Sequence, residues 1–519
     1  MKDERRETIV KRKKPYSAHI FPLSTLNFNS PPIYRQLNTI RLLYNKKELQ
    51  ETIKQHKNIT FAYSYKTKTS MRKVYILITC IGLIIPLQSH AQEVRQWTLR
   101  ECIDHALAHH IGLKKERASL ETANVNIKEA KAGWQPSLHA NISQGLTYRP
   151  FQENGGNLVN GGIAASASDK AIQNGSYGIN AAWTIWDGQK RTLNIKDSQL
   201  QKTATEYAIE TAENSIQESI AQLYIQILYT KEALKVNEAL LHQDSVVYER
   251  GKEMFKQGQM SRADLAQLEA QLASGKYDII NTQTQVENYK LQLKQLLELA
   301  PTEDLDVADT HIEDASVVAL IDDKMEIYQA ALNVRPEIKS SETAIERSIV
   351  ATKLAKASYM PTISLTGSIG DSHITGSNNS FFDQIKNNFN TNIGVGISIP
   401  ILDNRKTKSA VQRARVNEFV SQLDLQERQK QLYSTIESYW LNATNNRQKF
   451  IAARSNVESL QTSYDLIQEQ FRLGLKNIVE LMDSRSKLLT AKQDLLQNKY
   501  TTILNKTLLE FYAGKTISL

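Results

Sequence analysis

Four short stretches of the chain alternate apolar and polar residues with a period of two. In residues 138–148 the apolar positions are Leu138, Ala140, Ile142, Leu146 and Tyr148. In 177–186 they are Tyr177, Ile179, Ala181, Trp183 and Ile185, with Ala182 weakening the contrast. Residues 362–370 carry Ile363, Leu365 and Ile369, and 392–401 carry Ile393, Val395, Ile397, Ile399 and Ile401. This is the period of a strand with two unlike faces, and about ten residues is the length a tilted strand needs to cross a bilayer. The polar positions are mostly small residues: Ser, Thr, Asn and Gly. The segments 150–174 and 371–388 are rich in Gly, Asn and Ser and are expected to be exposed hairpin loops. A soluble sandwich would show the same alternation, but the small polar face favours a membrane sheet. Four strands cannot close a barrel, for which about eight are needed, and open edges are not tolerated in lipid. The barrel is therefore expected to be shared between copies of the chain.

A second pattern is helical. Residues 406–471 run without a Gly or Pro, and 191–255 contain only Gly251. At about 1.5 Å per residue each predicts a helix of roughly 100 Å, several times a bilayer's thickness. Ile279, Thr282, Val286, Tyr289, Leu293 and Leu296 recur at steps of three and four, a coiled-coil seam for the returning helix. Glycines at Gly258 and Gly474 mark where each long helix turns back, because glycine accepts the left-handed backbone such a turn needs.

The two halves repeat each other. Trp186-Asp187-Gly188 matches Leu402-Asp403-Asn404 at an offset of 216, as do Tyr224 with Trp440, Tyr248 with Tyr464, Phe255 with Phe471 and Gly258 with Gly474. Upstream, Ala132-Gly133-Trp134-Gln135-Pro136 matches Ala357-Ser358-Tyr359-Met360-Pro361 at 225, so the first copy has the longer loop. The expected division is a first repeat over 92–300, an acidic connector over 301–323 and a second repeat over 324–519.

Charge locates the beginning of the mature protein. Residues 71–91 read as a signal peptide: Arg72 and Lys73, an apolar run from Val74 to Leu87, then Ser89-His90-Ala91 before Gln92. Residues 1–70 are expected to be a non-native upstream extension, translation starting at Met71. Those 70 residues hold 15 of the 64 Lys and Arg against 5 of the 55 Asp and Glu, whereas 92–519 hold 47 against 50. The net charge of +9 therefore belongs to the leader region and gives no argument for a nucleic-acid partner. Two cysteines, Cys80 and Cys102, exclude a disulfide framework and a four-thiolate zinc site. Cys80 sits in a poor context for lipidation. Cys102, His105 and His109 share a helical face of a polar first helix, but without the spacing of a zinc protease no metal site is expected, nor any cofactor. No phosphate loop or nucleophile triad is present, so the chain does not read as an enzyme. Trp183 and Trp186 near a strand end suit an interfacial aromatic belt or simple packing.

With these residues in view, the chain from Trp97 to Tyr512 resembles the TolC-family outer-membrane efflux proteins. The carrying features are the duplication, Pro136 and Pro361 before the strands, the two Asp-containing strand exits, and the tips. The first tip reads Phe255-Lys256-Gln257-Gly258-Gln259-Met260-Ser261-Arg262-Ala263-Asp264-Leu265. The second reads Phe471-Arg472-Leu473-Gly474-Leu475-Lys476-Asn477-Ile478-Val479-Glu480-Leu481-Met482-Asp483. The resemblance implies a mostly α fold with β: long helical hairpins forming an α-barrel tunnel, plus four transmembrane strands per chain in a trimeric twelve-stranded β-barrel. It implies a homotrimer in outer-membrane lipid that extends into the periplasm. There it would meet a periplasmic adaptor and an inner-membrane transporter, as the passive exit duct of a tripartite efflux or type I secretion system. By the same resemblance Asp483 and Glu480, with Asp264 as repeat mate of Glu480, fall at a periplasmic constriction, where threefold symmetry would make rings that attract cations. Gln257, Gly258 and Gln259, with Leu473, Gly474 and Leu475, fall at the adaptor-docking tips. The chain departs from the family at His110-Ile111, where the second copy keeps Arg335-Pro336, and at Glu480, where Asp is commoner. The rival reading is a non-transporting exported coiled-coil scaffold or adhesin.

Overall fold

The computed structural model describes residues 96–151, 158–160, 163–165, 170–310, 312–377 and 379–519. The expected upstream extension, the signal peptide and Cys80 lie outside these residues. Residues 92–519 form one compact unit.

The elements come in matched pairs. Helices α1 (Leu99–His109) and α2 (Ile111–Ala132) precede strand β2 (Ser137–Tyr148); their counterparts α6 (Lys324–Val334) and α7 (Pro336–Ala357) precede β7 (Thr362–Ile374). The long helix α3 (Lys190–Lys256) and its return α4 (Arg262–Leu296) have counterparts α9 (Lys406–Arg472) and α10 (Ile478–Tyr512) of identical lengths, 67 and 35 residues. Between them lie β1 (Gln96–Trp97), β3 (Leu158–Asn160), β4 (Ile163–Ala165), β5 (Ala171–Trp186), β6 (Asp306–Val307), α5 (Asp314–Val318), α8 (Phe381–Asn388) and β8 (Asn390–Ser398).

Local chemistry explains the pairing. At both strand exits an Asp side chain accepts from the backbone N–H four residues on, Asp187 from Arg191 at 3.1 Å and Asp403 from Thr407 at 2.7 Å. The residues just before the two long helices, Gln189 and Arg405, share a left-handed backbone with φ near 71° and 66°. The first-helix breaks also coincide. His110 Nδ1 accepts from the Leu113 N–H, whereas Arg335 is followed by Pro336 at the first helical position. The absence of a proline at Ile111 does not move the break.

The strands form one antiparallel sheet in the order β2-β5-β7-β8, so the two hairpins join through β5 and β7. The register sets Leu138 beside Ala181, Ala181 beside Gly367 and Gly367 beside Ile393. Two residues along, Trp183 pairs with Leu365 and Leu365 with Val395. The opposite face aligns His139, Asn180, Ser368 and Asn392 in one row and Ser137, Ala182, Thr366 and Gly394 in another. The period-two pattern thus resolves into one apolar and one small polar face. Ile142, Leu146 and Ile393, on the two outer strands of the apolar face, are each more than 75% exposed, the kind of exposed apolar surface that marks contact with a membrane or a partner. Among the described residues, strands β2 and β8 each leave an edge free.

Several boundaries depart from the sequence reading. Strand β5 starts at Ala171 rather than near Tyr177, because Tyr148 pairs with Ala171 across the hairpin. Strand β7 runs on to Ile374, and β8 spans 390–398, ending before Pro400, which has no N–H to donate. The segment 371–388 is not simply a loop: Ser380 accepts from the Asp383 N–H and starts helix α8. The first helix is not a polar one, since Cys102, Ile103 and Ala106 are buried in the main core.

The main core lies where α1, the middle of α3, the C-terminal part of α10 and the connector converge, with Tyr224, Leu293 and Phe450 fully enclosed. The connector is tied down. β6 pairs in parallel with β1, Val307 and Val317 are buried, and Asp306 bridges Lys231 (3.2 Å) and Lys290 (3.1 Å). On α4 the expected seam is sealed, Val286 and Leu293 being buried while Ile280, Tyr277 and Leu291 face outward.

Candidate functional site at the hairpin tips

Each tip is a tight reversal between a long helix and its return. Gly258 and Gly474 adopt φ of 72° and 75°, the left-handed region that costs an L-residue about 1–2 kcal/mol. The backbone closes the same way in both. The Gly258 N–H donates to Phe255 O and the Gln259 N–H to Met254 O; the Gly474 N–H donates to Phe471 O and the Leu475 N–H to Gln470 O. The return helices are then capped by Ser261, which accepts from the Asp264 N–H, and by Asn477, which accepts from the Glu480 N–H. Asp264 and Glu480 therefore occupy the same helical position.

Their surroundings differ. The Asp264 carboxylate accepts from the Ser261 hydroxyl at 2.7 Å. Glu480 is paired with Lys476 of the turn just before the α10 cap, and Asp483 with Lys487 at 2.6 Å along α10. Asp483 lies one turn above Glu480 on α10 and is exposed, Glu480 half-exposed. The tip residues Gln257, Gly258, Gln259, Leu473, Gly474 and Leu475 are all exposed. Leu473 and Leu475 stand 58% and 72% in water, next to Val479 at 61%.

Behind the tips a second, smaller core joins the two hairpins: Val247, Leu268, Tyr464, Phe471, Ile478, Leu481 and Leu488. Burial pushes the Tyr464 phenol up to about 12, with Asp244 adding to the shift. Within this core lies a group the sequence reading missed. Arg485 of α10 donates through Nε to Asp244 Oδ1 of α3 at 2.8 Å, and its Nη2 lies 2.7 Å from Oδ2. Both side chains are under 10% exposed. With its amide turned to present oxygen, Gln271 of α4 accepts from Arg485 Nη1 at 2.8 Å. The sequence did hold a signal: Asp244 stands where the other copy has Leu460, and Arg485 where it has Glu269.

Of the remaining candidates, Cys102 is enclosed, burial pushing its thiol up to about 12. His105 stacks on His109 with ring centroids 4.2 Å apart and meets Trp97 edge-on. Among the described residues no group of three or more His, Cys, Asp or Glu is arranged to hold a metal ion. Trp183 and Trp186 lie half-exposed at the helix-proximal end of the sheet's apolar face, and Trp183 Nε1 donates to Trp134 O at 2.9 Å, so Trp183 also packs.

The family described as "Outer membrane efflux protein" matches residues 102–298 and 327–515. Outer membrane protein TolC of Salmonella enteritidis is 22% identical over 411 residues, covering 78% of this chain and 79% of its own. Toxin and drug export protein A of Aggregatibacter actinomycetemcomitans is 20% identical over 408 residues, covering 78% and 83%. Among solved structures, CusC superposes with a TM-score of 0.68 at 18% identity, over 80% of this chain and 92% of CusC.

Proposed function

Since the chain belongs to the outer membrane efflux protein family, we propose that it is the passive exit duct of a tripartite efflux or type I secretion system, closed or opened at its periplasmic tips. It is an outer-membrane protein, and members of this family are channels rather than enzymes. The observation that carries the proposal is the sheet. It has one face that is apolar over most of its length, one face of small polar residues, and two strand edges left unpaired among the described residues. In hydrocarbon each unpaired backbone group costs several kcal/mol, so β2 of one copy must meet β8 of the next. Three copies make a twelve-stranded barrel whose small-residue lining leaves room for a lumen. The long helical hairpins then continue that lumen into the periplasm.

At the far end Asp483 and Glu480, with Asp264 nearby, form the constriction in this reading, tripled by symmetry into acidic rings. Leu473-Gly474-Leu475 and Gln257-Gly258-Gln259 form the surface that meets a periplasmic adaptor, which couples the duct to an inner-membrane transporter. Exposed leucines at a helix reversal support that role, because burial of each against a partner is favourable by about 25 cal/mol per Å². The substrate class stays open between small molecules and secreted proteins, one relative being named for export of both toxin and drugs. The division into a leader over 71–91, two repeats and a connector belongs to the same proposal. The test is native mass and planar-bilayer conductance of the chain expressed from Met71. A trimer with stepwise, cation-selective openings supports it. A monomer or dimer without conductance supports the exported scaffold instead.

A further inference from the structure

We infer that helix α8 is an interfacial anchor, seated on the lipid-facing side of the barrel where the outer leaflet's acyl chains meet its headgroups. The inference rests on the sheet being a membrane barrel, and the closing experiment separates the two.

The face of the sheet fixes the side. Tyr177, Ile179, Ala181 and Trp183 share the apolar face, and the register carries that parity across to Asp371, Ile369, Gly367 and Leu365. His373, directly opposite Gly175, therefore belongs to the same face, and its ring stacks on Tyr177 at 5.7 Å. Gly175 has no room for a Cβ beneath the imidazole. Phe381, the first residue of α8, meets that imidazole edge-on at 5.0 Å. At the other end of α8, Phe389 precedes β8 with the parity of Thr391, Ile393 and Val395, again the apolar face. The Phe381 contact and the Phe389 parity, at opposite ends of the helix, point to one side.

The depth follows from where the apolar face turns polar. From Trp186 to Tyr177 its residues on β5 are apolar; beyond Tyr177 the same face mixes the polar side chains Gln144, Gln173 and His373 with Leu146 and Tyr148 of β2. Gln144 Nε2 donates to the Tyr177 hydroxyl at 2.5 Å, and Gln173 Nε2 to Gln144 Oε1 at 3.4 Å, so this polar band is internally bonded. The nine steps from Tyr177 to Trp186 at about 3.3 Å rise make about 30 Å of strand. Tilted by roughly 40°, that is about 23 Å, close to the roughly 25 Å apolar band of outer-membrane barrels. Helix α8 packs at the polar band, at the end of the sheet away from the long helices, which is the outer rim.

The helix is built for such a boundary. Gln384 replaces a neighbouring strand at the edge of β7: its Oε1 accepts from the Ile374 N–H at 2.8 Å and its Nε2 donates to Ile374 O at 3.0 Å. Asn388 Nδ2 donates to Ser372 O, which fixes the far end. With Phe381, Gln384 and Asn388 on the sheet, Phe382, Ile385 and Phe389 form an apolar stripe beside it, and Asp383, Lys386 and Asn387 a polar one. Phe382 is 80% and Phe389 60% exposed within the chain. Two phenylalanines on a rigidly held short helix, continuous with the lipid-facing band, fit the interfacial region where aromatic rings concentrate. Water is the poorer solvent for both.

The test uses single cysteines carrying a polarity-sensitive dye, with the trimer in phospholipid vesicles. Cys102 is fully buried and Cys80 is replaced by Ala, so labelling is confined to the new site. At Phe382→Cys the dye should emit blue-shifted from the same dye at Asn387→Cys. It should be quenched more by a nitroxide near the acyl-chain head than by one near its end, and only weakly by aqueous iodide. Strong iodide quenching at Phe382→Cys, equal to that at Asn387→Cys, would overturn the anchor. So would stronger quenching by the deep nitroxide, which would put the helix in the hydrocarbon instead. Ile393→Cys in mid-barrel is the control. Quenched by the deep nitroxide, it shows the barrel inserted whatever α8 does; unquenched, it removes the barrel reading itself.

Discussion

The two hairpin tips share a backbone and differ in almost everything the backbone carries. Gly258 and Gly474 turn at nearly the same φ, and Ser261 and Asn477 cap return helices of equal length. Yet Phe255 is 38% exposed while its mate Phe471 is buried at 7%, and Gln257 and Gln259 stand where the second tip presents Leu473 and Leu475. The Asp244–Arg485 pair has no counterpart in the other register, where Leu460 and Glu269 stand. Duplication preserved the turn chemistry, which is local, and released the side chains that meet other elements.

The sharpest way to break this asymmetry is through the buried ion pair. Arg485→Met leaves Asp244 enclosed without its counter-charge, a cost of about 3–5 kcal/mol. Hydrogen exchange along 244–251 and 478–488 should accelerate strongly, with little change near Tyr224. Adding Asp244→Leu, which restores the Leu of the other copy, should recover most of the loss, because a packed apolar pair can replace a buried ionic one. If the single exchange left protection unchanged, the pair would not be what holds the hairpins together.

A smaller effect tests what the tips share. Gly258→Ala and Gly474→Ala add a methyl group with nothing within 4 Å to meet, so only the left-handed backbone resists. Each should cost about 1 kcal/mol, equally, in local exchange stability. Unequal losses would mean the turns are not equivalent.

The segments beyond the two return helices differ as well, and there pH is the probe. Burial alone would raise the Asp306 carboxyl in the connector, but Lys290 and Lys231 outweigh it and hold it below the usual carboxylate range. Its contribution is present in full above the unfolded carboxyl's ordinary value and is lost as pH falls through the depressed folded value. Acidification through that window should loosen the β1–β6 pairing, read as faster exchange at Val307. Lys290→Met should lessen that acid dependence. The smallest effect is expected at the exposed tip: Leu473→Ser with Leu475→Ser should change stability by less than about 0.5 kcal/mol while impairing export in cells.

The periodic features were legible because one rule governs each of them. Alternation gave the strands and their lipid face, and the uninterrupted 406–471 run gave the long helix, within one residue of its observed end. The seam from Ile279 to Leu296 was readable for the same reason. Less legible was whatever depends on a partner far along the chain. The first helix reads as polar because Arg100, Glu101, Asp104, His105 and His109 are spread along it, while Cys102 and Ala106 are buried by other elements. Helix α8 hides in a Ser/Asn-rich stretch because its sheet contacts run through Gln384 and Asn388, polar residues that do a strand's bonding. At the tips the sequence indicates carboxylates but not their lysine partners, since Lys487 meets Asp483 through the helical i,i+4 step and Lys476 meets Glu480 through the tight turn before the α10 cap.

Single-channel recording of Asp483→Asn beside the unaltered trimer, in a salt gradient across a planar bilayer, tests the central claim most directly. A duct shared by three chains and narrowed by an acidic ring predicts a cation-selective reversal potential that moves toward zero in the variant. A reversal potential unchanged by the substitution would contradict it.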